Sequence, residues 1–490
     1  MRLTAVVDLG SNSFRLVVYR YEPGGAWAVW DEIRAPVRMS AGMGEDQILR
    51  PEPVARALEA VRTFVAFCRQ TGIDDVQAVG TSALRRAANG ADVVAAMEAE
   101  GLAVRILDGG EEAFYGGLAI LNSTTVTDGC GLDMGGGSVQ LMRLRDRTVA
   151  ESVALPLGAV RTTESFLDGD QRSGLKSLRK EVRRLVGEHS WFGAAEGPLA
   201  AIGGSVRNIA TAAQRLYGLP NGGVQGFELT ADHVARVVDE LAGRSIEERR
   251  ALSGISPDRG DVILAAAVVL QTILEEGGFS QVEITEAGLR EGVFFDRYHR
   301  DRDPPVAEDV ARASVENLLL RHEDDAGHAR RVAGHALAIF DGLGSACAVE
   351  AGPDDRRLLE AAALLHDIGR AVGFDDRHKH ARYLILNEGL PGFTRDDMND
   401  VAQIVRFIPK GTPESDTRVE LLAGVLRIAE QLERTRSEDT RAVAVADTAE
   451  GVELRVDARE GATVGLWAAA QSTGLLADAL SRPVLVTTVS

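Results

Sequence analysis

Cysteine is scarce in this sequence: Cys68, Cys130 and Cys347 are the only three in 490 residues, and they lie far apart. An odd number cannot all pair within one chain and no zinc-ligand spacing joins them, so a reducing cytoplasm is the expected setting. Long hydrophobic runs are missing too. The most apolar stretch, Val262 to Leu274, is interrupted by Gln271 and Thr272. It falls short of the ~20 residues a membrane span needs, and no membrane association is expected. A signal-peptide pattern is absent at the start, where Thr4 to Val7 already reads as a short strand ahead of Asp8. Positive charge is in deficit: 54 Lys+Arg against 73 Asp+Glu leave a net charge of −19, with no basic tail or stripe to offset it. That argues against specific nucleic-acid binding, but not against an anionic substrate gripped by a local cluster of arginines.

What remains is ordinary globular composition, 45% hydrophobic and 26% charged. At roughly 150 residues per domain the length suggests about three domains. Val6-Val7, Leu16 to Tyr19, Val76 to Val79 and Val104 to Leu107 read as strands, and Pro53 to Arg69 as a helix with apolar residues at helical spacing. A second α/β segment starts near Gly129, with strands at Ser152 to Leu155 and Val282 to Thr285 and a buried helix over Gly260 to Glu275. The charged, then stiff segment Arg300 to Pro305 reads as a linker. Beyond it the chain looks helical to about residue 436. A small α/β region follows, with strands at Val443 to Ala446 and Val452 to Val456, a helix over Leu466 to Leu480 and a strand over Pro483 to Val489. The expected domains are 1–125, 126–300, 306–436 and 437–490.

One internal repeat organises the first two. Asp8 to Leu16 (DLGSNSFRL) matches Asp133 to Leu141 (DMGGGSVQL), and both copies read strand, tight polar turn, strand. Glycine and asparagine let such a turn aim successive N–H groups into one concavity, a phosphate nest. Ser11, Asn12 and Ser13 beside Gly10, and Ser138 beside Gly135, Gly136 and Gly137, add polar donors. Asp8 and Asp133 could hold a hydrated divalent cation. One such loop is most simply a β-hairpin turn. Two matching loops in two α/β halves favour a phosphate clamp.

The loops resemble the phosphate-binding hairpins of the actin, sugar-kinase and heat-shock-chaperone superfamily. More closely, the sequence resembles the exopolyphosphatase/guanosine-pentaphosphate phosphohydrolase family. The likeness runs through Val7 to Phe14, Gly80 to Arg85, Gly110 to Ala113, Asp133 to Ser138, Gly203 to Arg207 and Gly288 to Val293. It implies two actin-like (ribonuclease H-like) α/β domains flanking a cleft, followed by an all-α domain and a small α/β domain. Adjacent Glu111 and Glu112 cannot share a helix face, so at most one points into the cleft; the resemblance places the catalytic carboxylate at Glu112, which would orient or deprotonate the attacking water. Arg85, on a loop after a strand, is the expected phosphate-gripping guanidinium, ahead of Arg86. Gly204 and Ser205 lie at a strand-to-helix turn that reads equally as a phosphate site or as a plain connection. Leu157 to Arg161 resembles another family loop near the cleft.

Leu364 to Gly369, with His366-Asp367 and upstream His328, resembles the HD phosphohydrolase signature, in which histidines and carboxylates bind metal. Two departures mark the site as degenerate. Ile408 in Arg406 to Lys410 replaces an expected histidine, and Glu430 stands where such enzymes present Asp. A mainly structural or substrate-channel domain is therefore expected, with His328, His366, Asp367 and Glu430 as a residual metal set. The function implied is an exopolyphosphatase that releases orthophosphate from the end of inorganic polyphosphate with Mg2+ or another divalent cation. Guanosine pentaphosphate 5′-phosphohydrolysis is the alternative with the same chemistry; a noncatalytic phosphate- or nucleotide-sensing actin-like protein is the alternative from another class. A homodimer is compatible with the sequence.

Overall fold

In the computed structural model the described residues are 1–44, 46–219, 223–323, 325–347, 352–408, 417–459 and 461–489. They form two compact units, Met1–Val310 and Ala311–Ser490.

The first unit is built on two sheets of matching topology. Strands β1 (Arg2–Leu9), β2 (Phe14–Tyr21), β3 (Trp27–Ala35), β4 (Val76–Gly80) and β5 (Val104–Ile106) order as β3-β2-β1-β4-β5. Strands β6 (Gly129–Met134), β7 (Val139–Arg145), β8 (Thr148–Leu155), β9 (Leu199–Ile202), β10 (Phe227–Thr230) and β11 (Gln281–Ile284) order as β10-β11-β9-β6-β7-β8. In each sheet an antiparallel meander of three strands continues into parallel strands. The repeat seen in the sequence is thus a repeat of topology, and its two turns are equivalent. Leu9 pairs with Phe14 across Gly10–Ser13, and Met134 with Val139 across Gly135–Ser138. The register also sets Arg15 opposite Asp8 and Gln140 opposite Asp133.

Strand β1 is apolar on both faces because both are covered. Ala5, Val7 and Leu9 join a core with the helix Pro51–Thr71, while Val6 faces a second core that also takes in residues of the other sheet. The helix Pro51–Thr71 starts on a proline, whose missing N–H costs nothing there. It stops at Gly72, whose φ of 68° suits only glycine well. Strand β3 was not expected from the sequence. Its middle residues Trp30–Glu32 are exposed on a sheet edge, so no clean alternation marks them.

Helices Gly109–Leu121 and Leu289–Tyr298 share the core common to both sheets, so residues 1–125 and 126–300 form one unit. Where these helices cross, a Cβ on Gly292 would stand 1.8 Å from the Tyr115 carbonyl oxygen. Because backbone cannot yield like a side-chain tip, Gly292→Ala is expected to destabilise the protein by roughly 3 kcal/mol. A denaturant midpoint unchanged in the variant would show that the crossing relaxes freely. The linker expected at 300–305 is tied down as well. Asn122 donates to the Pro305 carbonyl at 3.2 Å and accepts from the Ala307 N–H at 2.9 Å, which moves the boundary to Val310.

In the second unit, helices Ala326–Cys347, Pro353–Leu365, Arg377–Glu388, Arg395–Arg406 and Thr417–Leu432 pack with a sheet of β12 (Thr440–Thr448), β13 (Gly451–Ala458) and β14 (Val484–Thr488), ordered β12-β13-β14. Val452, Leu454 and Val456 belong to the same apolar core as the helices. The sheet is therefore not a separate compact unit, contrary to the boundary expected at residues 436/437. The helix expected over Leu466 to Leu480 is two, Thr463–Ala470 and Gly474–Leu480. Between them Ser472 and Thr473 hydroxyls bond the Ala468 and Ala470 carbonyls, an alternative to the helical ladder. Pro409 and Lys410 of the Arg406 to Lys410 stretch lie outside the described residues.

Candidate active site

The two loops face one cavity of about 160 Å3 within the first unit. All eight expected loop residues line it: Gly10, Ser11, Asn12, Ser13, Gly135, Gly136, Gly137 and Ser138. Neighbouring N–H groups hold the loop carbonyls. Those of Ser11 and Asn12 accept from Ser40 (3.4 Å) and Arg38 (2.7 Å), and those of Gly135 and Gly136 from Ala159 (3.0 Å) and Val160 (2.9 Å). A trans peptide points its N–H opposite its C=O, so carbonyls held on one side leave the next N–H facing the other. The Leu157 to Arg161 segment thus braces the second loop, and Ala159 and Val160 themselves reach the cavity.

The adjacent glutamates divide as helix geometry requires. Asp108 caps the helix Gly109–Leu121: its carboxylate accepts from the Glu111 N–H at 2.8 Å, and Glu111 reaches back to the Asp108 N–H at 2.9 Å. Glu111 is therefore spent on the cap. Glu112, one residue on, is only 3% exposed and lines the cavity. Its Oε2 accepts from Gln140 Nε2 at 2.7 Å and Arg85 Nη2 at 3.1 Å. The same Gln140 nitrogen donates to the Ser138 hydroxyl at 3.0 Å, so one side chain ties the carboxylate to the second loop. Burial raises the Glu112 carboxyl above its ordinary range; the Arg85 bond and a Ser82 backbone bond pull it down, and Asp8 pushes it up.

Arg85 is placed differently from expectation. It sits in a short helix, Ser82–Arg86, not a loop, and does not line the cavity. One of its arms holds Glu112 and the other the Leu107 carbonyl, so it buttresses the carboxylate from behind. Gly204 lines the cavity, whereas Ser205 does not. The Ser205 hydroxyl accepts from Arg259 at 3.0 Å, and a Cβ on Gly204 would fall 2.2 Å from the Arg259 guanidinium. Gly204 is thus small so that Arg259 can cross the helix start.

Four lining arginines carry the positive charge: Arg15, Arg207, Arg259 and Arg290. None was singled out in the sequence. Arg207 and Arg290 lie inside the Gly203 and Gly288 motifs, and Arg15 stands opposite Asp8, so those three had a signal; Arg259 had none. Burial, helped by Arg207, Arg34 and Arg15 against Asp258, lowers Arg259 to about 10. The Arg290 Nε is buried with no hydrogen-bond partner among the described residues. Crowded guanidinium groups with an unspent donor suit a polyanion.

Against them stand Asp8, Glu112 and Asp133. Burial, then Glu112 and Asp8, push Asp133 up to about 7; burial also raises Asp8. Arg290 and Arg15 draw Asp8 back down, and Arg207 does the same for Asp133. Carboxylates that face one cavity and bind protons more tightly than usual suit a hard divalent cation, and Asp8 and Asp133 are the residues that would hold it. The cost without a cation is measurable. A carboxyl whose folded pKa lies above its unfolded value loses stability as pH rises between the two, here from about 4 to about 7. Asp133→Asn is expected to stabilise chelated protein at pH 8 by on the order of 4 kcal/mol, and not at pH 3.5. An unchanged thermal midpoint at pH 8 would show that Asp133 is solvated.

In the second unit His328, His366 and Asp367, all buried, bring one donor atom each within 4.8 Å of one another. Glu430 does not join them. Its carboxylate faces Arg377 at 3.5 Å, Arg434 at 3.7 Å and Gln431. Ile408, in place of the expected histidine, is buried in the unit's apolar core.

The match to known proteins follows this architecture. Residues 17–301 match the Ppx/GppA phosphatase family, and residues 310–464 match its domain III. The chain belongs to the Ppx/GppA phosphatase family. A solved family member from Aquifex aeolicus is 23% identical over 61% of this chain and 99% of its own, with a TM-score of 0.54. A Cytophaga hutchinsonii exopolyphosphatase is 18% identical over 61% of this chain and 98% of its own, with a TM-score of 0.55. Like these Ppx/GppA structures, the first unit has two actin-like α/β domains. Among the described residues no helix is long and apolar enough to cross a membrane.

Proposed function

We propose that this Ppx/GppA phosphatase is an exopolyphosphatase that hydrolyses the terminal phosphoanhydride of inorganic polyphosphate and releases orthophosphate. The observation that carries the reading is Glu112: a buried carboxylate held at 2.7 and 3.1 Å, facing the same cavity as both Gly/Ser loops and four arginines. A noncatalytic sensor has no need of a carboxylate so held beside two phosphate nests.

In this reading the loop N–H groups and the Ser13 and Ser138 hydroxyls hold the terminal phosphate. Arg290 and Arg207 balance the charge of the oxygens next in line. Glu112 orients a water for in-line attack on phosphorus and accepts its proton, while the shortened chain leaves as the anion. The Arg85 bond favours the ionised form of Glu112, and Arg85 and Gln140 together aim it. A divalent cation, with magnesium the natural choice for Asp8 and Asp133, neutralises phosphate oxygens when bound.

A second reading has one observation in its favour. Beside the cavity lies another of about 370 Å3, sharing Arg15, Arg207 and Arg290 and lined also by Glu32, Glu286 and Glu291. Carboxylates repel a polyphosphate chain but can accept from guanine N–H and ribose O–H groups, which suits guanosine pentaphosphate. Phosphate release from long-chain polyphosphate, guanosine pentaphosphate and ATP, measured side by side, separates the two. Highest kcat/KM on polyphosphate supports the proposal; preference for the guanosine compound overturns it.

A further inference from the structure

The candidate ligands of the second unit are gathered but not left free for an ion. His366 is oriented as a metal ligand would be: its Nδ1 lies 2.7 Å from the Ala363 carbonyl, so that nitrogen carries the proton and Nε2 the lone pair. His366 Nε2 and His328 Nδ1 are both buried without a hydrogen-bond partner among the described residues. Two such nitrogens beside a carboxylate form a set that suits a zinc-class ion.

Asp367 does not fit that role as it stands. Its Oδ1 accepts from Arg377 at 2.9 Å, and its Oδ2 from Arg370 at 3.4 Å and from Arg436. Both oxygens are committed to guanidinium groups, and an ion placed here would sit against three fixed positive charges. Arg370 and Arg377 are held elsewhere too, since both stack on Phe374, at 5.6 and 5.2 Å from the ring centre. Arg436 has a different reach. It bridges Asp367 to Asp325 at 3.2 Å, and Asp325 in turn accepts from the His328 N–H at 3.0 Å. This one guanidinium therefore joins Asp367 to the segment that carries His328, which neither Arg370 nor Arg377 is shown to do.

We propose that Arg436 takes the place of a cation: the second unit holds a two-histidine, one-carboxylate metal site that the Arg436 guanidinium keeps closed and whose loss opens it. This stands apart from the polyphosphate reading, because its test does not use turnover.

The test titrates Co2+ into metal-stripped full-length protein and follows its visible ligand-field absorption, with metal content measured after desalting. The wild type is expected to give no absorption that depends on His366. Arg436→Ala is expected to bind one equivalent with imidazole-type absorption, and Arg436→Ala/His366→Ala to lose it. Arg436→Gln, closer in shape, makes the same comparison if the alanine variant does not fold, as judged by near-ultraviolet circular dichroism. Either of two results overturns the proposal: wild-type binding that His366→Ala abolishes, or folded Arg436 variants that bind no ion through His366.

Discussion

Glu112→Gln is expected to lower kcat for phosphate release by about 100-fold or more, with KM for polyphosphate close to that of the wild type. The substitution keeps size and hydrogen-bonding shape but removes the base. It leaves loops, arginines and aspartates in place, so ground-state binding should survive. The protein's own geometry sharpens the expectation. Gln140 and Arg85 both donate to Glu112 Oε2, an arrangement that a carboxylate satisfies and that an amide satisfies only with its oxygen turned that way. Glu111→Gln provides the contrast. Glu111 caps its helix through Asp108, so the loss should appear in stability, by at most about 1 kcal/mol, with turnover nearly intact. Equal losses of turnover at both positions would undo the assignment, and wild-type turnover in Glu112→Gln would remove that residue from the mechanism.

Removal of divalent cations should abolish phosphate release, and magnesium should restore it. Asp8, Glu112 and Asp133 face one cavity, where Asp8 raises the proton affinity of Glu112 and both raise that of Asp133, so these carboxylates repel one another despite the four arginines beside them. A phosphate end would add to the repulsion. A cation relieves both, and its contribution to the transition state is worth several kcal/mol. The pH dependence gives a quantitative check. Asp133, lifted to about 7, holds a proton that an incoming cation must displace. Half-saturation by magnesium should therefore improve about tenfold per pH unit below about 7 and level off above it. Asp133→Ala should abolish that slope and raise the magnesium requirement, and Asp8→Ala should raise the requirement too. Full activity after exhaustive chelation would overturn the cation's place in the reaction, and a pH-independent half-saturation would remove Asp133 from the ligand set.

Much of the first unit was legible because the signals are local. An Asp followed by Gly, Ser and Asn between two apolar runs specifies a strand and a tight polar turn, and its recurrence at a constant spacing announced two matching halves. Glu111 and Glu112 could be told apart in principle, since neighbouring helix residues point some 100° apart. Domain boundaries were less legible, because charge and proline mark where a chain could be free. Only packing shows that Asn122 holds residues 305–307 to the first unit, or that β13 completes the helical core of the second.

Sequence alone determined the paired loops, the α/β character of the first unit and the carboxylate-bearing helix, because turn chemistry and hydrophobic periodicity act over a few residues. Tertiary structure alone decided which charges meet. Arg15, Arg207, Arg259 and Arg290 come from four separate segments, and no spacing rule brings them to one cavity. It also decided that Arg85 stands behind Glu112, and that Arg436 closes on Asp367 from beyond the helix Thr417–Leu432. Long flexible side chains span several ångströms. Their partners are fixed only when distant elements fold against each other, and in a low-dielectric interior those partners set what each charge can do.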